Sequence, residues 1–173
     1  MSNVEKFQTQ RLGKESLYYI FENMAKHSNC AIIREKQSDD ANPFELYSIV
    51  LPDGFRIKVH VYLKNITGAG WSDKPEIKRI QIRKPLQLPK QRRDDFYILC
   101  GLCNYNSENV LVVWDPWNYM THKTACSCYV FISSLEKTIN GGFFHGLNKG
   151  KEVMTCTAQH FGELIREISS RYC

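Results

Sequence analysis

The sequence has no long apolar run. No segment approaches the ~20 consecutive apolar residues of a membrane-spanning helix, and the opening residues MSNVEKFQTQ lack the apolar core of a signal peptide. The sequence therefore predicts a cytoplasmic protein with no membrane partner.

Familiar catalytic motifs are missing as well. The chain contains no glycine-rich phosphate loop ending in Lys-Ser or Lys-Thr, no His-Glu-x-x-His pair and no serine-nucleophile elbow. Its histidines are scattered and form no pairing pattern. We therefore predict no catalytic residue, no bound metal and no cofactor, and we do not expect this chain to be an enzyme by itself.

Repeats and low-complexity segments are also absent. The 173 residues are 43% hydrophobic and 24% charged, which are ordinary values for a globular protein. A chain of this length suits one domain with a real hydrophobic core, so we expect residues 1–173 to form a single domain. Nothing in the sequence indicates an oligomeric state.

Cysteine is plentiful, with seven residues, an odd number. A secreted chain of this kind would carry a disulfide framework and one free thiol, whereas a reducing compartment favours buried thiols. Cys100 and Cys103 should face opposite sides of a strand. Cys126 and Cys128 should share a face, and His122 lies four residues before Cys126. A zinc site is therefore an alternative to thiols packed in a core, although the paired spacing of known zinc modules is missing.

Three helices are predicted. Apolar residues recur at helical spacing in segment 12–27. Ser133 and Glu136 fit a capping box at the start of a short second helix, which Gly141-Gly142 should end. Thr157 is expected to cap the closing helix.

Short strands dominate the rest of the chain. Pro52-Asp53-Gly54 between two β-rich runs is a strong hairpin signal. Because strands follow one another instead of alternating with helices, we predict an α+β fold with a curved, mostly antiparallel sheet or an open, pseudobarrel-like β-barrel and about three helices. The expected strands are 29–35, 45–51, 55–63, 77–82, 96–103, 110–114, 126–132, 143–148 and 151–157.

Positive charge is concentrated in one stretch, Lys74 to Arg93. Eight of its residues are Lys or Arg and one is Glu, while the whole chain carries only +5, so the remainder is slightly acidic. A localised basic segment is the electrostatic footprint of a polyanion-binding surface. The alternative is a solvated edge strand, on which charge discourages aggregation.

The pattern inside this stretch favours DNA. Ile80 and Ile82 should face a core, which turns Arg79, Gln81 and Arg83 to the opposite side. Arginine makes bidentate contacts with guanine and glutamine does so with adenine. Prolines then end the strand, and the lysines and arginines that follow suit phosphate contacts in an exposed loop.

Short motifs spaced over about residues 45–168 resemble a known family. In order they are an Asp-Gly hairpin, YLKNIT at a strand end, a glycine-rich loop, KRIQI, ILCG, VLVVWDP, a small-residue strand entry, a helix ending in Gly-Gly, and a closing strand and helix. This pattern resembles the methylase-associated DNA-recognition domains that precede the nuclease part of bacterial restriction enzymes. Such domains often look like the DNA-binding pseudobarrels of restriction enzymes and plant transcription factors.

The resemblance implies that strand and loop side chains read a groove of double-stranded DNA. Residues 124–127, Thr-Ala-Cys-Ser, stand where the family tends to have a serine cluster, so hydroxyl contacts to phosphate are not carried over there. The chain stops at Cys173, soon after the closing helix, so we expect an excised recognition domain or a separate specificity subunit whose partner is a nuclease domain or subunit. The resemblance carries over best at Asn65, Thr67, Gly68, Gly70, Arg79, Ile80, Gln81, Trp114 and Asp115.

The leading hypothesis is therefore target recognition in a restriction endonuclease, with double-stranded DNA as the partner and methylation dependence left open. Arg79, Gln81 and Arg83 would read base edges, and Trp71 and Tyr119 would contact a groove or a base. The other candidate DNA-binding residues are Lys64, Asn65, Thr67, Lys84, Lys90, Arg92, Arg93, His122 and Lys123.

Two alternatives remain. Pro52-Asp53 and Glu76-Ile77-Lys78 imitate the Pro-Asp…Glu-x-Lys signature of nucleases, in which two carboxylates hold Mg²⁺ and the lysine helps to activate water. The hairpin turn already accounts for Asp53, however. The basic face could instead bind an acidic protein.

Overall fold

The computed structural model describes residues 2–90, 95–119 and 125–172. Four of the candidate DNA-binding residues, namely Arg92, Arg93, His122 and Lys123, lie outside these described residues.

Three helices and eleven strands make up the described chain. The helices are α1 (Lys14–His27), α2 (Ile132–Gly141) and α3 (Phe161–Arg171), and single 3-10 turns span Pro116–Tyr119 and Ala158–His160. The strands are β1 (Phe7–Gln8), β2 (Ala31–Lys36), β3 (Glu45–Val50), β4 (Arg56–Asn65), β5 (Thr67–Gly68), β6 (Ile77–Ile82), β7 (Phe96–Tyr105), β8 (Glu108–Trp114), β9 (Cys126–Phe131), β10 (Phe143–Asn148) and β11 (Lys151–Thr157).

The strands form two sheets. The main sheet has the order β10-β11-β8-β7-β4-β3-β2, and β1 also pairs with β7. A small sheet has the order β5-β6-β9. Every pair in the described chain is antiparallel except β4 with β7. The predicted α+β fold with a mostly antiparallel sheet is confirmed, and the main sheet is open instead of a closed barrel.

Two hydrophobic cores cover the two faces of the main sheet. The helix-side core joins α1 and α3 to the sheet, and the rings of Phe21 and Phe161 meet edge to face at 5.3 Å. The sheet-side core joins the small sheet to the main sheet through residues such as Ile80 and Trp114. Three layers result, with α1 and α3 on one side of the main sheet and the small sheet together with α2 on the other.

The cysteines follow the predicted alternation. Cys100 belongs to the helix-side core and Cys103 to the sheet-side core, so they face opposite sides of β7 as expected. Cys128 is buried under the small sheet and Cys126 packs beside it, so these two share a face. The described residues contain no group of three or more His, Cys, Asp and Glu side chains that could hold a metal ion.

The predicted hairpin is confirmed, because β3 and β4 pair across Pro52-Asp53-Gly54. Gly54 adopts a φ of +91°, which a side chain would strain. The Asp53 carboxylate accepts a hydrogen bond from the Phe55 N–H at 3.1 Å, which closes the turn.

Two predicted helix caps are wrong. Helix α2 begins at Ile132, and Glu136 instead accepts hydrogen bonds from the Tyr105 hydroxyl at 2.6 Å and from Lys6. Thr157 precedes the 3-10 turn and not α3, and its side chain makes no capping bond. The predicted stop at Gly141-Gly142 is confirmed, since α2 ends at Gly141 and Gly142 takes a φ of +85°.

None of the helices in the described part of the chain is both long and apolar enough to traverse a bilayer.

Candidate nucleic-acid interface

The middle strand of the small sheet presents its polar side chains away from the sheet-side core. Ile80 and Ile82 are fully buried on the core side, which leaves Arg79 and Gln81 half-buried on the other side. This alternation confirms which face each residue takes in the predicted strand. We call this side of the small sheet the outer face.

Neighbouring strands complete the outer face. Arg79 lies between Thr67 of β5 and Tyr129 of β9, and Gln81 lies opposite Ser127 of β9. Side chains opposite each other on antiparallel strands point to the same side. The outer face is therefore formed by Thr67, Arg79, Gln81, Ser127 and Tyr129.

The Arg79 side chain is held in place and retains hydrogen-bonding capacity. Its Nη1 donates to the Ser127 hydroxyl at 3.1 Å. Its Nε is buried and has no hydrogen-bond partner among the described residues. Because a guanidinium carries five N–H donors in a rigid fork, fixing one of them orients the others.

An aromatic pair forms one flank of the outer face. Trp71, which is 38% exposed, stacks on Tyr129 with 5.5 Å between ring centroids and 21° between planes. Lys149, in the turn between β10 and β11, places its Nζ 4.8 Å from the Trp71 ring centroid and 5.3 Å from that of Tyr129. The Trp114 indole fixes the strand beneath by donating to the Tyr129 carbonyl at 2.9 Å.

Two cations form the opposite flank. The Lys64 Nζ donates to the Gln81 carbonyl at 2.8 Å, which ties β4 to the small sheet. Burial lowers the pKa of Lys64, and the positive charge of Arg83 lowers it further. A bound anion at this position would relieve both effects, because it would replace lost hydration and screen the repulsion.

Residues 83–90 after β6 have no regular structure, as predicted, although Leu86 and Leu88 pack against the sheet-side core. Arg83, Lys84 and Lys90 all present their side chains to solvent there. This segment extends the positive charge beyond the edge of the outer face.

Two of the predicted contacts have structural roles instead. The Asn65 amide donates to the Leu12 carbonyl at 2.9 Å and accepts from the Leu12 N–H at 3.2 Å, so it fastens the segment before α1. Tyr119 is only 4% exposed, within the 3-10 turn and below Lys151, and burial raises its pKa. The turn packs into the sheet-side core, so Tyr119 is withdrawn as a groove contact.

Ser127, Tyr129 and Lys149 were missed as site residues from the sequence. The alternation of Cys128 and Val130 with Ser127 and Tyr129 does indicate which face each takes. The pairing of β9 with β6, and the approach of the β10–β11 turn to Trp71, have no local sequence signal.

The residues of the nuclease alternative are engaged in different layers. Asp53 pairs with Arg166 of α3, on the helix side. Lys78 lies over the Phe7 ring, with Nζ 4.5 Å from its centroid, at the margin of the sheet-side core, and burial lowers its pKa. Nothing in the geometry of the described residues brings these two side chains together.

The sequence matches the model of a known family. The model of the family described as methylase-associated X1 matches residues 57–165, which is more than half of the chain. The matched segment runs from β4 into α3 and contains every residue of the outer face. No curated protein and no solved structure matches the chain.

Proposed function

Because the chain belongs to the methylase-associated X1 family, we propose that it is the DNA-recognition part of a restriction-modification system and binds double-stranded DNA through the outer face. The family match supports a role in association with a methylase. Sequence-specific binding to a DNA duplex goes beyond that match and is proposed here.

The observation that carries this proposal is the position of Arg79 and Gln81. Both project outward from the middle of the small sheet, and Arg79 is oriented by Ser127. Arginine is the side chain that most often reads guanine, and glutamine can read adenine, each through two hydrogen bonds. A guanidinium that is already held in place loses less conformational entropy on binding than a mobile one.

The cations around this pair suit the phosphates on either side of a groove. Lys149 and Lys74 lie beside Trp71 on one flank, and Lys64 and Arg83 lie on the other. Contacts to phosphate position a protein on the duplex, whereas contacts to base edges give specificity. The outer face therefore has side chains at its centre that can read base edges and cations around them that can contact phosphates.

The dimensions of the small sheet also suit a groove. Its longest strands have six residues, which corresponds to about 20 Å of strand, and neighbouring strands lie roughly 4.8 Å apart. The major groove of B-DNA is about 12 Å wide and admits a two-stranded ribbon. The β6–β9 ribbon is thus the element that we place in the groove, with base edges opposite Arg79 and Gln81.

Cleavage would be the task of a partner. Asp53 and Lys78 are engaged separately in the structure, so this proposal assigns the chain recognition and leaves hydrolysis to a nuclease domain or subunit. The proposal keeps double-stranded DNA as the ligand of the chain itself.

Selection from a random duplex library tests the proposal. We expect purified protein to enrich one short sequence, and we expect Arg79→Ala to lose preference at one base pair at a cost of about 5- to 150-fold in affinity. Arg171→Ala is the matched control, because Arg171 lies in the last turn of α3 on the helix side.

Repeating the selection with methylated duplexes reports whether methylation matters. Failure of the wild-type protein to enrich any sequence would contradict the proposal. If Arg79→Ala and Arg171→Ala changed affinity and base-pair preference equally, the outer face would not be the DNA-binding surface.

A further inference from the structure

A cavity of about 510 Å³ lies at the seam between the main sheet and the segment that leaves the small sheet. Tyr62 of β4 lines it, the loop between β2 and β3 forms one wall, and residues 83–87 after β6 form the other. Its volume falls within the roughly 300–1,000 Å³ of small-molecule sites. This cavity is separate from the outer face, from the residues of the nuclease alternative and from the buried thiols.

The aromatic wall of the cavity is held rigid from behind. The Tyr62 ring packs against Phe44 with centroids 6.0 Å apart, and Phe44 meets Tyr97 edge to face at 5.3 Å. Phe44 is 1% exposed, so this support belongs to the sheet-side core. A half-buried ring fixed in this way is a ready stacking surface for a flat ligand.

The loop wall is also preformed. The Asp39 carboxylate accepts the N–H groups of Ala41 and Asn42 at 2.9 and 2.8 Å. The Asn42 side chain in turn accepts the Phe44 N–H at 3.1 Å. These bonds hold Asp40, which lines the cavity, in a turn that does not depend on a ligand.

The opposite wall carries positive charge. Arg83 and Lys84 both line the cavity, and both are exposed. Arg83 follows directly after β6 and acts electrostatically on Lys64, which is bonded to the Gln81 carbonyl. Arg83 therefore lies at the edge of both the cavity and the outer face. A DNA strand bound along the outer face would run past the opening of the cavity.

We propose that this cavity receives one nucleobase turned out of the duplex that the outer face binds. The base stacks on Tyr62, the Asp40 carboxylate accepts a hydrogen bond from an exocyclic amino group, and Arg83 with Lys84 holds the flanking phosphates. This contact excludes thymine, which has no amino group, whereas adenine, cytosine and guanine each carry one. The inference rests on the proposed DNA-binding function and adds a second site to it.

Fluorescent base analogues test the inference on the selected duplex. Adenines are replaced singly by 2-aminopurine, cytosines by pyrrolocytosine and guanines by thienoguanine, whose fluorescence rises when the base leaves the stack. We expect a rise at one position on binding of the wild-type protein. Removing the partner base opposite that position should tighten binding by about tenfold or more, because the cost of unpairing is then absent.

Variants separate the cavity from the outer face. Tyr62→Leu should abolish the fluorescence rise, and Asp40→Asn, at an exposed position, should reduce it without a risk to folding. Tyr19→Leu is the matched control, because Tyr19 is 65% exposed on α1. The Arg79-dependent preference for the selected sequence should survive in all three variants.

The outcomes are distinguishable. Sequence-specific binding with no fluorescence rise at any position would overturn this inference while the proposed function stands. Absence of any selected duplex would overturn both. Tyr62-dependent binding of free adenosine, cytidine or guanosine monophosphate, with no rise on the duplex, would show that the cavity serves a free nucleotide and would also overturn the inference.

Discussion

Replacing Gly101 with alanine tests how the small sheet is attached. Gly101 lies in β7 beneath the small sheet, and a Cβ built there would be 2.4 Å from Ile66 Cγ1 and 2.9 Å from Ile80 Cγ2. Both isoleucines are buried in the sheet-side core. The added methyl group must therefore push apart the two sheets at the strand that carries Arg79 and Gln81.

The expected cost follows from this overlap. Overfilling a packed core typically destabilises a protein by about 1–3 kcal/mol. At roughly 2–4 °C per kcal/mol for a chain of this size, Tm should fall by about 2–12 °C. Thermal unfolding followed by circular dichroism measures this shift.

Gly68→Ala is the matched control. Gly68 lies in β5 of the small sheet, and a Cβ there meets nothing within 4 Å. We expect its free energy of unfolding to change by no more than about 0.5 kcal/mol. Equal Tm values for the two alanine variants would refute the packing argument.

A second variant makes the test independent of any general effect of alanine at Gly101. Ile66→Ala alone should destabilise by about 2–5 kcal/mol, because it opens a cavity in the sheet-side core. The double variant should be less destabilised than the sum of the two, since the new methyl group occupies that space. Additive effects would contradict the predicted overlap.

Four further outcomes are expected. Lys149→Ala should lower the slope of log affinity against log salt by about 0.9 without changing sequence preference, as measured by fluorescence anisotropy. Trp71→Ala should weaken binding to all duplexes in the same assay while Tm, by circular dichroism, stays within about 4 °C, because the ring lies at the surface. Burial raises the pKa of Cys103 to about 12, so its thiol should react with Ellman's reagent at pH 8 only after unfolding. The Tyr105 hydroxyl and then Lys6 lower the pKa of Glu136, so the Tm advantage of wild type over Glu136→Gln should be present at pH 7 and disappear as pH falls below the ordinary glutamate pKa of about 4.3.

Local pattern predicted the faces of most elements. The alternation around Ile80 placed Arg79 and Gln81 away from the core, and the helical spacing of Leu17, Phe21 and Met24 predicted α1 within two residues at its start. These predictions depend on short-range periodicity, which each strand or helix carries in its own sequence.

Long-range pairing was not predictable in the same way. The small sheet pairs Arg79 with Tyr129, and β4 runs parallel to β7. Partner choice between distant strands depends on how the whole core packs, and no local motif encodes it. The two-residue strands β1 and β5 were missed because they are too short to show a period.

The composition of the site shows the same division. Arg79, Gln81 and Arg83 were predicted from charge and alternation, whereas Lys149 reaches Trp71 only through the β10–β11 turn. Tyr119 was predicted to contact a groove or a base, but tertiary packing buries it. Capping at Ser133 failed for a related reason, since Glu136 is drawn to Tyr105 and Lys6.

The most direct measurement of the central claim is a double-mutant cycle between Arg79→Ala and single base-pair changes in the selected duplex. The account predicts a coupling energy of about 1–3 kcal/mol at one base pair and almost none elsewhere, with no coupling for Arg171→Ala. Uniform weakening across all duplexes, or coupling that Arg171→Ala reproduces, would contradict the account.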